Sequence, residues 1–204
     1  MPDQPVAGRA TSFRGPDSLS DGVAAELLAD RIIMIGALDG DAVEAVTASL
    51  LMLGRLSPGT EISLYINSGG GSVESALAIH DTMDLVACPI STVCLGSATG
   101  GAVLLVAAGE PGRRATLPSS RFHLVRPHGE FEGSASEATT FAAEAIRAQD
   151  LVIQLFSRHC HQSPEEVADA LGGGRFFSAR EAIAWGLVDK VIERPPKAFR
   201  GIIK

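Results

Sequence analysis

Long apolar runs, cysteine, lysine and aromatic residues are all scarce in this sequence, and the first three shortages narrow what the chain can be. The longest apolar run, Ala102 to Ala108, is far too short to span a bilayer. Pro2, Asp3, Gln4 and Pro5 open the chain with no hydrophobic stretch behind them, so no secretory signal is expected. Cys88, Cys94 and Cys160 are an odd number without a framework spacing, which fits a reducing cytosol. Basic residues number 17 against 24 acidic ones, a net charge of −7 with no basic cluster, which argues against nucleic acid or an anionic membrane as main partner. Lys190, Lys197 and Lys204 are the only lysines, so no lysine stands where a Ser–Lys dyad would need one. Aromatics make up 5% of the chain, with one Trp and one Tyr. What is present, 46% hydrophobic residues over 204 positions, suits one acidic cytoplasmic domain with a sizeable core.

Residues 1–22 are rich in Pro, Gly, Ser and Asp without periodicity and read as an N-terminal arm, leaving 23–204 as a single domain. Short apolar runs at Arg31–Gly36, Glu61–Ile66 and Ile90–Leu95 predict buried strands. Helical spacing falls between them, over Asp39–Leu56, Ser72–Val86 and about Ala98–Ala108. This alternation predicts an α/β fold of parallel βαβ units. Two short strands are expected at Arg114–Leu117 and Arg121–Val125, and Leu187–Ile192 reads as a last strand. A long helical pattern runs from Ser134 to Cys160, about 40 Å at 1.5 Å per residue, longer than a small domain needs. Its apolar positions, including Phe141, Ile146 and Leu151, predict packing on a partner. Ser163–Glu166 and Ser178–Glu181 are capping boxes.

Two turns join strand to helix, Asn67-Ser68-Gly69-Gly70-Gly71-Ser72 and Leu95-Gly96-Ser97-Ala98-Thr99-Gly100-Gly101-Ala102. Backbone N–H groups beside a helix N-terminus can cradle an anion or an oxyanion. Neither turn carries a P-loop or dinucleotide fingerprint, and tight turns without a ligand would use the same glycines. At the carboxyl ends of neighbouring parallel strands, two such turns are where an acyl-processing enzyme builds its site.

The segments Tyr65-Ile66-Asn67-Ser68-Gly69-Gly70-Gly71-Ser72-Val73, Ile79-His80-Asp81-Thr82-Met83, Gly112-Arg113-Arg114, Leu117-Pro118 with Ser120-Arg121, and Phe177-Ser178-Ala179 through Gly186-Leu187-Val188-Asp189 follow one another in a specific order. From about Leu28 to Ile192, without insertion, they resemble the ClpP family, the proteolytic subunit of the Clp protease. The resemblance implies the ClpP/crotonase-like spiral of βαβ units as a head, with a long projecting handle helix covering about residues 126–160. It also implies heptameric rings that stack through their handles around a proteolytic chamber fed by a Clp ATPase.

The catalytic positions depart from that family. The serine, histidine and aspartate positions fall on Gly100, Val125 and Gly174. Ser97 and Thr99 are nearby hydroxyls, but one residue on a helix turns a side chain by about 100°. His123, two residues before Val125, is expected to share its strand face and to be an ordinary strand histidine; the other histidines do not match the base position. An unassisted hydroxyl is a poor nucleophile, so no useful peptidase activity is expected of the chain alone. Gly71 and Gly101 keep the oxyanion-hole positions, with glycine at 101 replacing the family's methionine, and Gly129 and Gly133 bracket the substrate-binding strand segment. Ala170-Leu171-Gly172-Gly173-Gly174 carries none of the charge the family places at the ring–ring contact. Tyr65 matches an ATPase-docking aromatic, whereas Ser63 and Ala115 stand where other pocket residues would be.

The reading is a pseudoenzyme: a non-catalytic ring subunit working with an active ClpP-like paralogue and a Clp ATPase in ATP-dependent proteolysis. The alternatives are a residual peptidase using Thr99 or Ser97, a crotonase-like acyl-processing enzyme using the Gly71/Gly101 cradle, or a ring or adaptor protein with no protease partner. No cofactor or metal is expected; His159-Cys160-His161 diverge around a helix end. Cys88 and Cys94 read as core residues and Trp185 as a packing anchor.

Overall fold

The computed structural model describes residues 21–126 and 135–193. After α1 (Asp21–Ala29), strand and helix alternate through β1 (Ile32–Ile35), α2 (Gly40–Leu56), β2 (Ile62–Ser68), α3 (Val73–Leu85), β3 (Ile90–Thr99) and α4 (Gly101–Ala107). Then come β4 (Arg114–Thr116), β5 (Arg121–His123), α5 (Ala135–Cys160), α6 (Pro164–Gly172), β6 (Phe176–Ser178), α7 (Ala179–Ala184) and β7 (Lys190–Val191). The strands lie in the order β1-β2-β3-β4-β7, all parallel. β3 forks: Thr92–Cys94 pair with β4, whereas Ser97–Thr99 pair with β5, which carries β6 antiparallel on its other side.

Local chemistry accounts for the helix starts. Asp39 caps α2 by accepting from the Ala42 amide, and Ser72 caps α3 by accepting from Ser75. Both expected capping boxes form, at α6 and α7. The core centres on α4, whose residues 102–107 are all buried between α3 and α5 and against β3. β2 turns Ile62, Leu64 and Ile66 to the core and Ser63 and Tyr65 to the other face, the period of two that a strand imposes. Trp185 packs on Phe156 and Phe177, and all three cysteines are buried.

Several boundaries differ from the sequence reading: β5 ends at His123 rather than Val125, and the last strand is only Lys190–Val191 rather than Leu187–Ile192. β3 continues past Leu95 to Thr99, and α4 starts at Gly101 rather than near Ala98. Small residues mask a strand that is held by neighbours on both sides, since Ala98 pairs with Ser68 and with Phe122. α5 has the expected length; Val152, Leu155, Phe156 and Cys160 are buried, while Phe141 and Ile146 are exposed. No helix among the described residues is long and apolar enough to cross a membrane.

Candidate functional site around Gly100

The two glycine turns meet at the ends of β2 and β3. Gly70 adopts φ +100, and a β-carbon there would lie 3.0 Å from the Thr99 carbonyl oxygen, so the turns touch backbone to backbone. Asn67 ties them further, its Oδ1 accepting from the Ser97 amide at 3.0 Å and the Ser97 hydroxyl at 3.4 Å. Gly71 bridges in parallel to Leu38, and any β-carbon at 71 would collide with the Leu38 carbonyl. Gly101 sits against the other end of the same residue, with a hypothetical β-carbon 3.7 Å from Leu38 Cδ1. The structure thus gathers Gly71 and Gly101 around Leu38, at the starts of α3 and α4. Room at 101 is small, because the same β-carbon would be 2.5 Å from Ala76 Cβ.

Gly100 forms the elbow between β3 and α4. It takes φ 54 and ψ −119, a conformation L side chains rarely adopt. Its amide donates to the His123 carbonyl at 2.9 Å and its carbonyl accepts from Val103 at 3.0 Å. A β-carbon added at 100 would make ordinary contact, 3.6 Å, with Val125 Cγ1. The side-chain directions at 100 and 125 therefore converge, and nothing that can ionise stands at either end.

Gly174, with φ +58, lies across from β5. A β-carbon there would be 3.5 Å from His123 Nε2. His123 is stacked flat on Phe176, with centroids 3.9 Å apart and planes within 6°. The antiparallel pairing of His123 with Phe176 sets that stack, and the parallel pairing of Thr99 with His123 places all three in one row. β5 stops at His123, but the Leu124 amide donates to the Arg175 carbonyl, and fully buried Leu124 stands between half-buried His123 and Val125, the alternation expected of two residues that share a face. Among the described residues no hydrogen bond links His123 to Thr99 or Ser97.

Gly129 and Gly133 lie outside the described residues. Tyr65 is half-buried, and burial pushes its phenol up. Beside it Ser63 pairs its hydroxyl with Ser91 at 2.9 Å, and Ala115 is buried. The sequence reading missed an exposed apolar group on the neighbouring helices: Leu51, Met52 and Leu56 on α2 and Leu85 on α3. The signal was the unbroken run Leu50-Leu51-Met52-Leu53. A 3.6-residue period buries Leu50 and Leu53 and must leave the middle two outside. Also unforeseen was Arg126, whose guanidinium covers Gly172; a β-carbon at 172 would be 2.6 Å from it.

A buried knot holds the elements behind the site. Arg114 reaches the carbonyls of Ala107, His159 and Gly186 and pairs with Asp189, Nη2 to Oδ1 at 2.6 Å. Burial alone would raise Asp189, but hydrogen bonds from Arg114 and its charge hold the carboxyl below its ordinary value.

A spiral of parallel βαβ units, an elbow glycine and a second glycine turn define the class as the ClpP-like α/β proteins. The family model described as Clp protease matches residues 17–195, and the chain belongs to that family.

Proposed function

We propose that this chain is a non-catalytic subunit of a Clp protease ring, heptameric by the family's habit, sharing a chamber with a catalytically active ClpP-like paralogue and served by a Clp ATPase. The observation that carries this is the approach of positions 100 and 125, where a β-carbon added at Gly100 would lie 3.6 Å from Val125 Cγ1: the elbow is kept and neither position carries a reacting group. Gly174 extends the loss, because it places no carboxylate opposite His123. Ser97 spends its hydroxyl on Asn67, which supports the same reading against a substitute nucleophile. The exposed Phe141, Ile146 and Leu151 on α5 suit a helix that packs on another subunit. Exposed Leu51, Met52 and Leu85, with Tyr65, suit the face that receives ATPase loops.

In this reading Gly172 to Gly174 give two identical rings no charged contact between them, so an active paralogue's ring supplies the opposite face. The test is covalent labelling of the native protein with a fluorophosphonate. The proposal predicts labelling of the co-purified paralogue and none of this chain. Labelling at Ser97 or Thr99 would replace it with a residual peptidase, and tight binding of an acyl-CoA would replace it with a crotonase-like activity at Gly71 and Gly101.

A further inference from the structure

His80 is 1% exposed on α3, and its Nε2 lies 3.0 Å from Nε2 of His159 in the last turn of α5. The rings meet edge to face, with centroids 5.3 Å apart. Two imidazole nitrogens at that distance hold one proton between them, one donating and the other accepting with its lone pair. The far side of His80 is acidic: Nδ1 is 3.3 Å from Asp81 Oδ1 and 3.9 Å from Asp84 Oδ2. The backbone around His159 is fixed independently, since its carbonyl accepts from Arg114 at 2.8 Å.

We propose that the His80–His159 pair is an acid-sensitive latch between α3 and the C-terminal end of α5. It stays closed while one proton lies between the two Nε2 atoms, and it opens when a second arrives, because two N–H groups cannot face each other at that distance. The second proton comes from solvent and lands on the nitrogen that was accepting.

Burial, reinforced by the charges of His80 and Arg158, opposed by Asp84 and aided weakly by Arg114, pushes His159 down to about 4. α4, which packs on both helices, carries no titratable side chain, and burial pushes the adjacent Cys160 thiol up to about 12, so it stays neutral. An unfolded histidine takes its proton near pH 6.5. The unfolded chain therefore binds the proton first as the pH falls, and stability drops from about pH 6.5 to about pH 4, then levels off. By pH 5 the folding equilibrium shifts about thirty-fold toward unfolding on this account alone.

The experiment is thermal or urea unfolding of the full chain between pH 7.5 and 4.5, for wild type and H159Q. A glutamine amide oxygen accepts from His80 but does not titrate in this range, so H159Q should lack about thirty-fold of the acid loss by pH 5. Parallel pH curves for the two proteins would overturn the latch. Should H159Q not fold, the His159 ring signals of the wild-type protein decide by NMR. A titration midpoint below pH 5 supports the latch, and one near 6.5 overturns it.

Discussion

Gly100 keeps the backbone of an elbow while carrying no side chain. Its backbone bonds to His123 and Val103 hold the elbow, and its φ of 54 suits glycine better than any replacement. G100S should therefore lower stability by ~1 kcal/mol or more and restore no peptidase activity, because Val125 cannot accept a proton. The triple change G100S/V125H/G174D puts the serine and the histidine on converging positions and the aspartate on the side of His123, and hydrolysis of a fluorogenic peptide should rise above the single variant by about 10² or more. Gly101 gives a second residue-level forecast. With Ala76 Cβ 2.5 Å from any β-carbon at 101, G101M should cost roughly 1–3 kcal/mol in urea unfolding, and A76G should recover part of that loss. Arg114 gives a third. R114M leaves Asp189 with backbone donors but no charged partner and removes the guanidinium donor from three carbonyls, an expected loss of about 3 kcal/mol in chemical denaturation. Asp189 is held below its ordinary value, so its contribution is present above that value and is lost as the pH falls through its folded pKa.

At the scale of elements, most of the architecture was legible because periodicity speaks locally. The strand at β2, the caps at Ser163 and Ser178, and the length of α5 all emerge as read. β3 was cut short because Gly96, Ser97 and Ala98 have weak strand preference, and only pairing with β2 and β5 extends it. α1 carried no periodic signal of its own. That Gly100, Val125 and Gly174 carry no ionisable group was readable from the sequence, but not the direction each position points. Strand alternation puts His123 on the side of Val125, and only the pairing with β6 adds that the imidazole stacks on Phe176 and faces Gly174. His80 and His159 stand 79 residues apart, and no local pattern announces their contact. α5 offers its own test. I146D lies on an exposed part of the helix, so it should leave the urea midpoint of an isolated chain within about 0.5 kcal/mol while weakening self- or hetero-assembly in sedimentation velocity.

For the whole molecule, the core around α4 and the Arg114 knot are built from buried side chains, while Gly100, Val125 and Gly174, which we propose to be vacated catalytic positions, carry no group that can ionise. That combination suits selection for a place in a ring rather than for turnover. The measurement that bears most directly on this is native mass spectrometry of the complex purified from its own host. Seven chains of 21.2 kDa come to about 148 kDa, so substitution by a paralogue of different mass is resolved copy by copy. The account predicts a ring-sized species containing this chain together with a second ClpP-like chain. A homo-oligomer alone, or a monomer, would contradict it.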